Sequence, residues 1–465
     1  MFKKLTAIFL VFMVSSCGLH PDNSRITITG GVYDKPQEQS IYQENKDAFK
    51  VGMLLPLSGK SSVYGIGLKN AAMMALEDSQ NQNLILKFYD TQSLPQGASQ
   101  ALDNAIDENV NLILGPLMSD EVSAISNKAK NKNIPVISFS TSPNVLSEGV
   151  YTLGLLGDEQ IKRVLSYASS KQRTKIAVMV PDTTAGLNMA KSAILNANQY
   201  GATVVKVGFY PPDTLDFAPI VKSLTDYDKR SAEITRKKNR LEAQAAKGDT
   251  NAAKELKMIK NVYTTGSVDF DAVLIAETGS RLKSAAVMFG YYDIYYPDIM
   301  FLGTSIWENT SLNKETTLYH GVYPVISRVH NNYFNKKYES LFGLLPNQLY
   351  SFAYDGVSLA SALSNKNTTD IYENITDANG YIGINGAFRI LKDGTNEHSL
   401  DIVEVTQEGP KVVDKSLGKF ENAELEYTGA EVYPTEFPLI FGKDENVVRE
   451  YVYGSKKTNN GFMFY

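Results

Sequence analysis

The sequence predicts an α/β protein of two lobes, each a parallel sheet wrapped by helices, with a helical hairpin inserted in the second. Three observations carry this. Short apolar runs alternate with helix-length amphipathic segments from Val51 onward, the alternation comes in two series, and a charged block interrupts the second series. Short strands rich in Val, Ile and Leu, spaced by helices, are βαβ units, and such units make parallel sheets with right-handed crossovers.

The chain opens on Lys3-Lys4, the apolar run LTAIFLVFMV and then Ser15-Ser16-Cys17. A basic start, an apolar core too short to span a bilayer and small residues at the cut read as a signal peptide. The tetrapeptide VSSC resembles the bacterial lipoprotein cleavage box, in which the cysteine becomes the first residue and carries lipid. Cys17, the sole cysteine, is therefore the expected lipidation site, with membrane attachment through that lipid only. Residues 18–48 are polar and turn-rich, a tether reaching about 30 Å as a flexible coil. Gly18 stands where an aspartate would, in lipoproteins of this kind, favour the inner membrane, so a periplasmic protein held at the outer membrane is expected.

Composition bounds the rest. With 43% hydrophobic and 21% charged residues over 465 positions, the chain is an ordinary globular protein of two or three domains. The net charge of −5, or −7 once Lys3 and Lys4 are removed, argues against nucleic acid as a partner. One cysteine permits no internal disulfide, so packed cores must supply stability.

The first series runs VGMLLPL, GLKNAAMMALEDSQ, LILKFYD, GASQALDNAIDEN, NLILGPL, EVSAISNKAKNKN and IPVISFS; the second starts at KIAVMVP and resumes with DAVLIAETGS, RLKSAAVMFGYYD and IMFLGTS. In open parallel sheets, ligands sit beyond the carboxyl ends of the strands. Gly59, Gly115-Pro116 and Ser138 to Ser142 occupy such ends, where Ser and Gly suit a polar ligand and equally suit turns. The triplet Gly59-Lys60-Ser61 closes a nucleotide phosphate loop in other proteins, but Leu54 stands where that loop needs its first glycine.

Within the interruption, Tyr227, Ile234 and Leu241 fall at sevens and Gly248-Asp249 is a turn signal, which predicts a helical hairpin over 227–260. Seven basic and three acidic residues lie between Asp228 and Lys247, a solvated face or a docking arm. LYSFAYDGVSLASAL, from Leu349, reads as a helix with an apolar stripe. The segment from Gly380 reads as a hairpin turning at Lys392-Asp393-Gly394-Thr395. The aromatic stretch from about Ser416 to Tyr465 has no clear period.

A search for chemistry finds little. The four histidines, His20, His320, His330 and His398, never fall at metal-ligand spacing, and no G-x-S-x-G elbow occurs. Ser311-x-x-Lys314 and Ser416-x-x-Lys419 lack the partner motifs of penicillin-recognising serine enzymes. No catalytic residue, metal or cofactor is expected, and the sequence gives no reason to expect an enzyme.

The segments VGMLLPLSGKSSVYGIGLKNAAMMALED, LILGPLMSDEVSAIS, IPVISFSTSP and SFAYDGVSLASAL resemble the leucine-binding family of periplasmic solute-binding proteins from Val51 to about Val405. That resemblance implies the type I periplasmic-binding-protein fold, two Rossmann-like lobes joined by three crossovers that close on a ligand. It implies a first lobe of residues 49–157 and 322–370, a second lobe of 158–321 and 371–415, and a C-terminal extension over 416–465. Within that fold, FYPPDTLDFAPIVKSL, the charged insertion, DAVLIAETGSRLKSAAVMFGYYD and FLGTSIWEN resemble alphaproteobacterial penicillin-binding protein activators. This narrower resemblance implies a lipoprotein that regulates peptidoglycan synthesis by binding a class A penicillin-binding protein.

Carried over position by position, Tyr64 matches a tyrosine that packs on the ligand of amino-acid-binding relatives. Ser119, Ser140 and Ser142 match the groups that hold the ligand's carboxylate and amine. The second lobe departs: Ala185, beside Thr184, replaces a clamping aromatic, Thr278 falls near a second one, and Ser305 replaces the acid that pairs with the ammonium. Glu277 or Glu308 would have to compensate. Arg236, Lys237, Lys238 and Arg240 are the partner-contact candidates. Two readings follow: a regulator of peptidoglycan synthesis, and a binding protein delivering an amino acid or other small polar solute to an ABC importer.

Overall fold

The computed structural model describes residues 48–327, 331–366, 370–416, 418–420, 436–454, 457–458 and 461–462. The signal peptide, Cys17, and the tether up to residue 47 lie outside the described residues. Among those described, no helix is long and apolar enough to cross a membrane.

The first lobe follows the predicted alternation: β1 (Phe49–Leu55), α1 (Ser62–Ser79), β2 (Leu84–Asp90), α2 (Pro95–Asp107), β3 (Leu112–Leu114), α3 (Ser119–Asn131), β4 (Val136–Ser138) and β5 (Val150–Thr152). Its sheet has the order β2-β1-β3-β4-β5, all parallel. Both faces are covered, which is why the strands are apolar throughout rather than alternating.

The chain then crosses into the second lobe: α4 (Gly157–Ser170), β6 (Lys175–Pro181), α5 (Thr184–Asn196), β7 (Thr203–Tyr210), α6 (Ala218–Leu224), the hairpin α7 (Tyr227–Ala245) and α8 (Thr250–Met258), then β8 (Ala272–Ile275), α9 (Gly279–Tyr291), β9 (Met300–Leu302) and β10 (Val322–Ile326). It returns as α10 (Asn331–Phe342), α11 (Gln348–Ser364), α12 (Ile371–Ile375), β11 (Tyr381–Gly383), β12 (Gly386–Ile390) and β13 (Asn396–His398). A last crossing gives β14 (Leu400–Thr406), β15 (Gly409–Asp414), β16 (Leu439–Phe441) and α13 (Glu445–Tyr453). The second sheet runs β15-β14-β10-β9-β8-β6-β7-β16. Its parallel part, β7-β6-β8-β9-β10, repeats the order of the first sheet.

Two expected boundaries are corrected. Residues 322–326 were placed in the first lobe, but β10 pairs in parallel with β9 and antiparallel with β14, inside the second sheet. An apolar run predicts a strand and carries no information on which sheet admits it. Residues 371–398 were placed in the second lobe, yet Ile375, Ile384, Phe388 and Ile390 pack into the first lobe's core. The hairpin itself lies where its turn signal put it: β12 and β13 pair antiparallel around residues 391–395. The stretch without a readable period supplies β16, an edge strand parallel to β7, and α13, which packs on the second lobe's core through Val448 and Val452.

The insertion is held at its root by buried charge. Lys206 on β7, fully buried, reaches Asp226 at 2.5 Å, Asp269 at 2.8 Å and the Leu224 carbonyl at 3.0 Å, so one ammonium clasps both ends of the insertion. The buried Arg230 guanidinium donates to the carbonyls of Thr225 and Tyr292 and to Thr264. Along the hairpin, Ile234 and Leu241 are buried at the predicted seven-residue spacing.

Candidate functional site

Every predicted cleft residue lies at the carboxyl edge of a sheet, where the fold places ligands. Tyr64 follows β1, Ser119 follows β3, and Ser140 and Ser142 follow β4; Thr184 follows β6, Glu277 follows β8 and Ser305 follows β9. No hydrogen bond among the described residues joins a candidate of one lobe to a candidate of the other.

In the first lobe, Tyr64 is 45% exposed on the first turn of α1 and Ser119, exposed, opens α3. Ser140 is buried and its Oγ accepts the Ser142 N–H at 3.2 Å. The loop holding Gly59-Lys60-Ser61 is closed against the loop after β2. Asp90 accepts the Ser58 N–H at 3.0 Å and its hydroxyl at 2.6 Å, and Ser93 Oγ accepts the Ser61 N–H at 3.1 Å. Gly59 adopts φ +80°, and a Cβ there would stand 2.5 Å from the Gln92 carbonyl. These N–H groups, which a phosphate loop would turn on an anion, already serve a carboxylate and a hydroxyl.

The second lobe is closed differently. Glu277 accepts the Tyr210 hydroxyl at 2.9 Å, Arg281 Nε at 2.8 Å and Nη2 at 2.7 Å, and the Thr278 N–H at 3.2 Å. Arg281 also lies over the rings of Tyr210 and Phe217, at 5.8 and 5.4 Å. Burial, then the adjacent Glu277 charge, pushes the Tyr210 phenol up, so it stays a donor. Ser305 is held by its backbone N–H on Gln160 Oε1 at 2.9 Å, and Thr184 is exposed at the start of α5. Glu277 thus already has a cation of its own, four residues further along the chain in the first turn of α9. Arg281→Ala is expected to lower the unfolding free energy by about 2 kcal/mol in urea denaturation, since it strips two of the four donors from a buried carboxylate.

Two buried carboxyls escaped the sequence reading. Glu121, on the first turn of α3, is wholly buried; Oε1 accepts the Thr91 hydroxyl at 3.0 Å and Oε2 has no partner. Burial pushes its pKa up to about 7. An acid in a helix's first turn is common, so the sequence carried no signal. Asp355 on α11 accepts the N–H of Ile384 at 2.7 Å and Asn385 Nδ2 at 2.8 Å, and burial pushes it up to about 6. A charged residue inside the apolar stripe of SFAYDGVSL was the signal available.

The crossovers are tied to one another. Asn396 Nδ2 donates to the carbonyls of Thr152 and Gly154, and Ser327 N–H to that of Ser399. Glu159, at the start of α4, accepts the His398 N–H at 2.8 Å, faces His398 Nδ1 at 3.1 Å and takes the Leu156 N–H. No metal-binding cluster of His, Cys, Asp and Glu occurs among the described residues.

Residues 48–229 match the family model described as periplasmic binding protein. Among curated proteins, the chain is 25% identical to an uncharacterised protein of Rickettsia prowazekii over 37% of this chain and 44% of that one. It is 25% identical to penicillin-binding protein activator LpoA of Histophilus somni over 35% and 27%, and to Leu/Ile/Val-binding protein BraC3 of Rhizobium johnstonii over 37% and 49%. Each match spans less than half of the relative's length. Of solved structures, an ABC-type branched-chain amino acid transporter protein from Rhodopseudomonas palustris superposes with a TM-score of 0.59 at 15% identity, covering 80% of this chain and 96% of that one. An ABC transporter substrate-binding protein from Sphaerobacter thermophilus superposes at 0.56 and 16%, covering 80% and 98%. The fold is therefore the type I periplasmic-binding-protein fold, as the sequence predicted.

Proposed function

We infer that this protein is a non-catalytic periplasmic lipoprotein, anchored through Cys17, that regulates peptidoglycan synthesis by binding a penicillin-binding protein. The observation that carries this reading is Glu277. An amino-acid ligand needs a carboxylate for its ammonium, and the acid nearest that role is already neutralised by Arg281 and hydrogen-bonded by Tyr210. An ammonium buried there without a counter-ion would lose several kcal/mol of affinity. The matching activators of Histophilus somni, and the basic hairpin that a solute carrier does not require, support the same reading.

The test is binding of the lipidated chain to purified class A penicillin-binding proteins from the same envelope, with glycan polymerisation measured alongside. Micromolar or tighter binding with altered polymerisation is expected. No binding and an unchanged rate would sink the reading. A second reading, solute delivery to an ABC importer, is favoured by the exposed Tyr64 and by the serines at the ends of β3 and β4. It predicts a thermal shift with an amino acid or small polar solute that is lost in Tyr64→Ala.

A further inference from the structure

The amino edge of the second sheet, opposite the cleft, carries a surface that the cleft does not use. Parallel strands run toward the cleft and their helices run back, so the insertion, which leaves α6 and re-enters at β8, projects from the far pole of the second lobe. From Tyr227 to Lys260 it carries ten basic and five acidic residues, a net of +5, against −10 for the rest of the chain.

Helical geometry sorts these charges. Ile234 and Leu241 turn inward; at 100° per residue, Lys229, Arg236 and Arg240 fall within about 40° of one another on the outward face, and all three are exposed. Two of the four predicted contact residues are engaged instead: Lys237 pairs with Glu255 at 2.7 Å, and Lys238 donates to the Lys260 carbonyl and lies 5.8 Å over the Tyr263 ring. The exposed tyrosines lie on the arm's other side, since Lys238, over the Tyr263 ring, and Tyr227 fall about 160° to 180° round α7 from Lys229. Tyr263 is 67% and Tyr291 70% exposed, and Tyr291 packs on Tyr292, which packs in turn on Tyr227 at the hairpin's root.

We propose that the outward stripe of this pole, Lys229, Arg236 and Arg240, is the docking surface for an acidic patch on a protein partner, leaving the cleft free. Exposed Arg is among the residues on which protein interfaces concentrate their energy. The clasp of Lys206 and the buried Arg230 hold the arm in place before binding, which lowers the ordering cost. A membrane surface fits less well, because a helix lying on lipid needs a broad outward apolar face and the apolar residues of α7 face inward.

The proposal rests on the regulator reading in naming a penicillin-binding protein as the partner. Its test combines affinity with site-specific photo-crosslinking from Lys229, Arg240 and, as a control, Tyr64, in the full lipidated chain in intact cells. Expected are crosslinks from Lys229 and Arg240 to the synthase, mapped to an acid-rich segment, and at least tenfold weaker binding for Arg236→Glu/Arg240→Glu with an unchanged circular dichroism spectrum. Reversing the mapped acids to lysine should restore that binding. A synthase that binds the double variant as well as the wild type, or crosslinks only from Tyr64, overturns the docking surface and leaves the regulator reading standing. Absence of synthase binding together with charge-reversible crosslinks from the pole to an acid-rich segment of another envelope protein keeps the surface and sinks that reading. Crosslinks from the pole to lipid only, or to a second copy only, overturn the surface.

Discussion

Asp355→Ala is expected to lower the unfolding free energy by about 4 kcal/mol, the largest loss from any single side chain considered for the first lobe. Asp355 sits within α11, 1% exposed, and its two oxygens take the backbone N–H groups of Ile384 and Asn385 and the Asn385 side-chain amide. These donors belong to the turn between β11 and β12, which carries Ile384 and Phe388 into the first lobe's core. Truncation orphans three buried donors at once, each costing about 1–3 kcal/mol, and part of that is recovered because a buried charge is also removed. Gly383 is the matching half of the arrangement: a Cβ there would lie 2.2 Å from Asp355 Oδ1, so Gly383→Ala should destabilise in the same direction. Urea denaturation of both variants is the measurement. A loss below about 1 kcal/mol for Asp355→Ala would show that the turn is held by its apolar contacts alone.

The parts of the fold that local pattern could specify were legible in the sequence. The β1 to β9 alternation, the 391–395 turn and the insertion hairpin follow from apolar periodicity and turn chemistry within a few residues of one another. Sheet membership was not legible, since β10 and β14 are joined by pairing across about eighty residues. The three-residue strand β16 is too short to show a period. The site divides along the same line. Strand ends placed all seven cleft candidates at carboxyl edges of the two sheets, and Arg281, four residues after Glu277, stood at ion-pair spacing. What the sequence hid was Tyr210, whose hydroxyl completes that network from 67 residues away.

The pH dependence of stability is the second large expectation, and its sign follows from Glu121 and Asp355 together. Burial raises both carboxyls, to about 7 and about 6, from ordinary values of 4.5 and 3.8. Each binds its proton more tightly folded than unfolded, so the stability it contributes is fully present below its unfolded value and is lost as pH rises through its folded one. Between about pH 3.8 and pH 7 the folded protein should therefore weaken, by about 3 kcal/mol per site if each shift is realised in full. Asp78 and Asp90 act in the opposite sense. Burial raises them, but hydrogen bonds from Lys337, Tyr354 and Tyr333, and from Ser58 and Gln92, outweigh it and hold both below the usual range. Their contribution disappears as pH falls through that range, which places maximum stability near pH 4. Thermal melts from about pH 3 to pH 8 should trace a peak there, and Glu121→Gln should flatten its alkaline side while leaving the acid side unchanged. A wild-type curve that instead rises from pH 5 to pH 8 would mean that Glu121 and Asp355 are ionised in the native protein. Their burial would then have to be relieved by movement of α3 and of the β11–β12 turn.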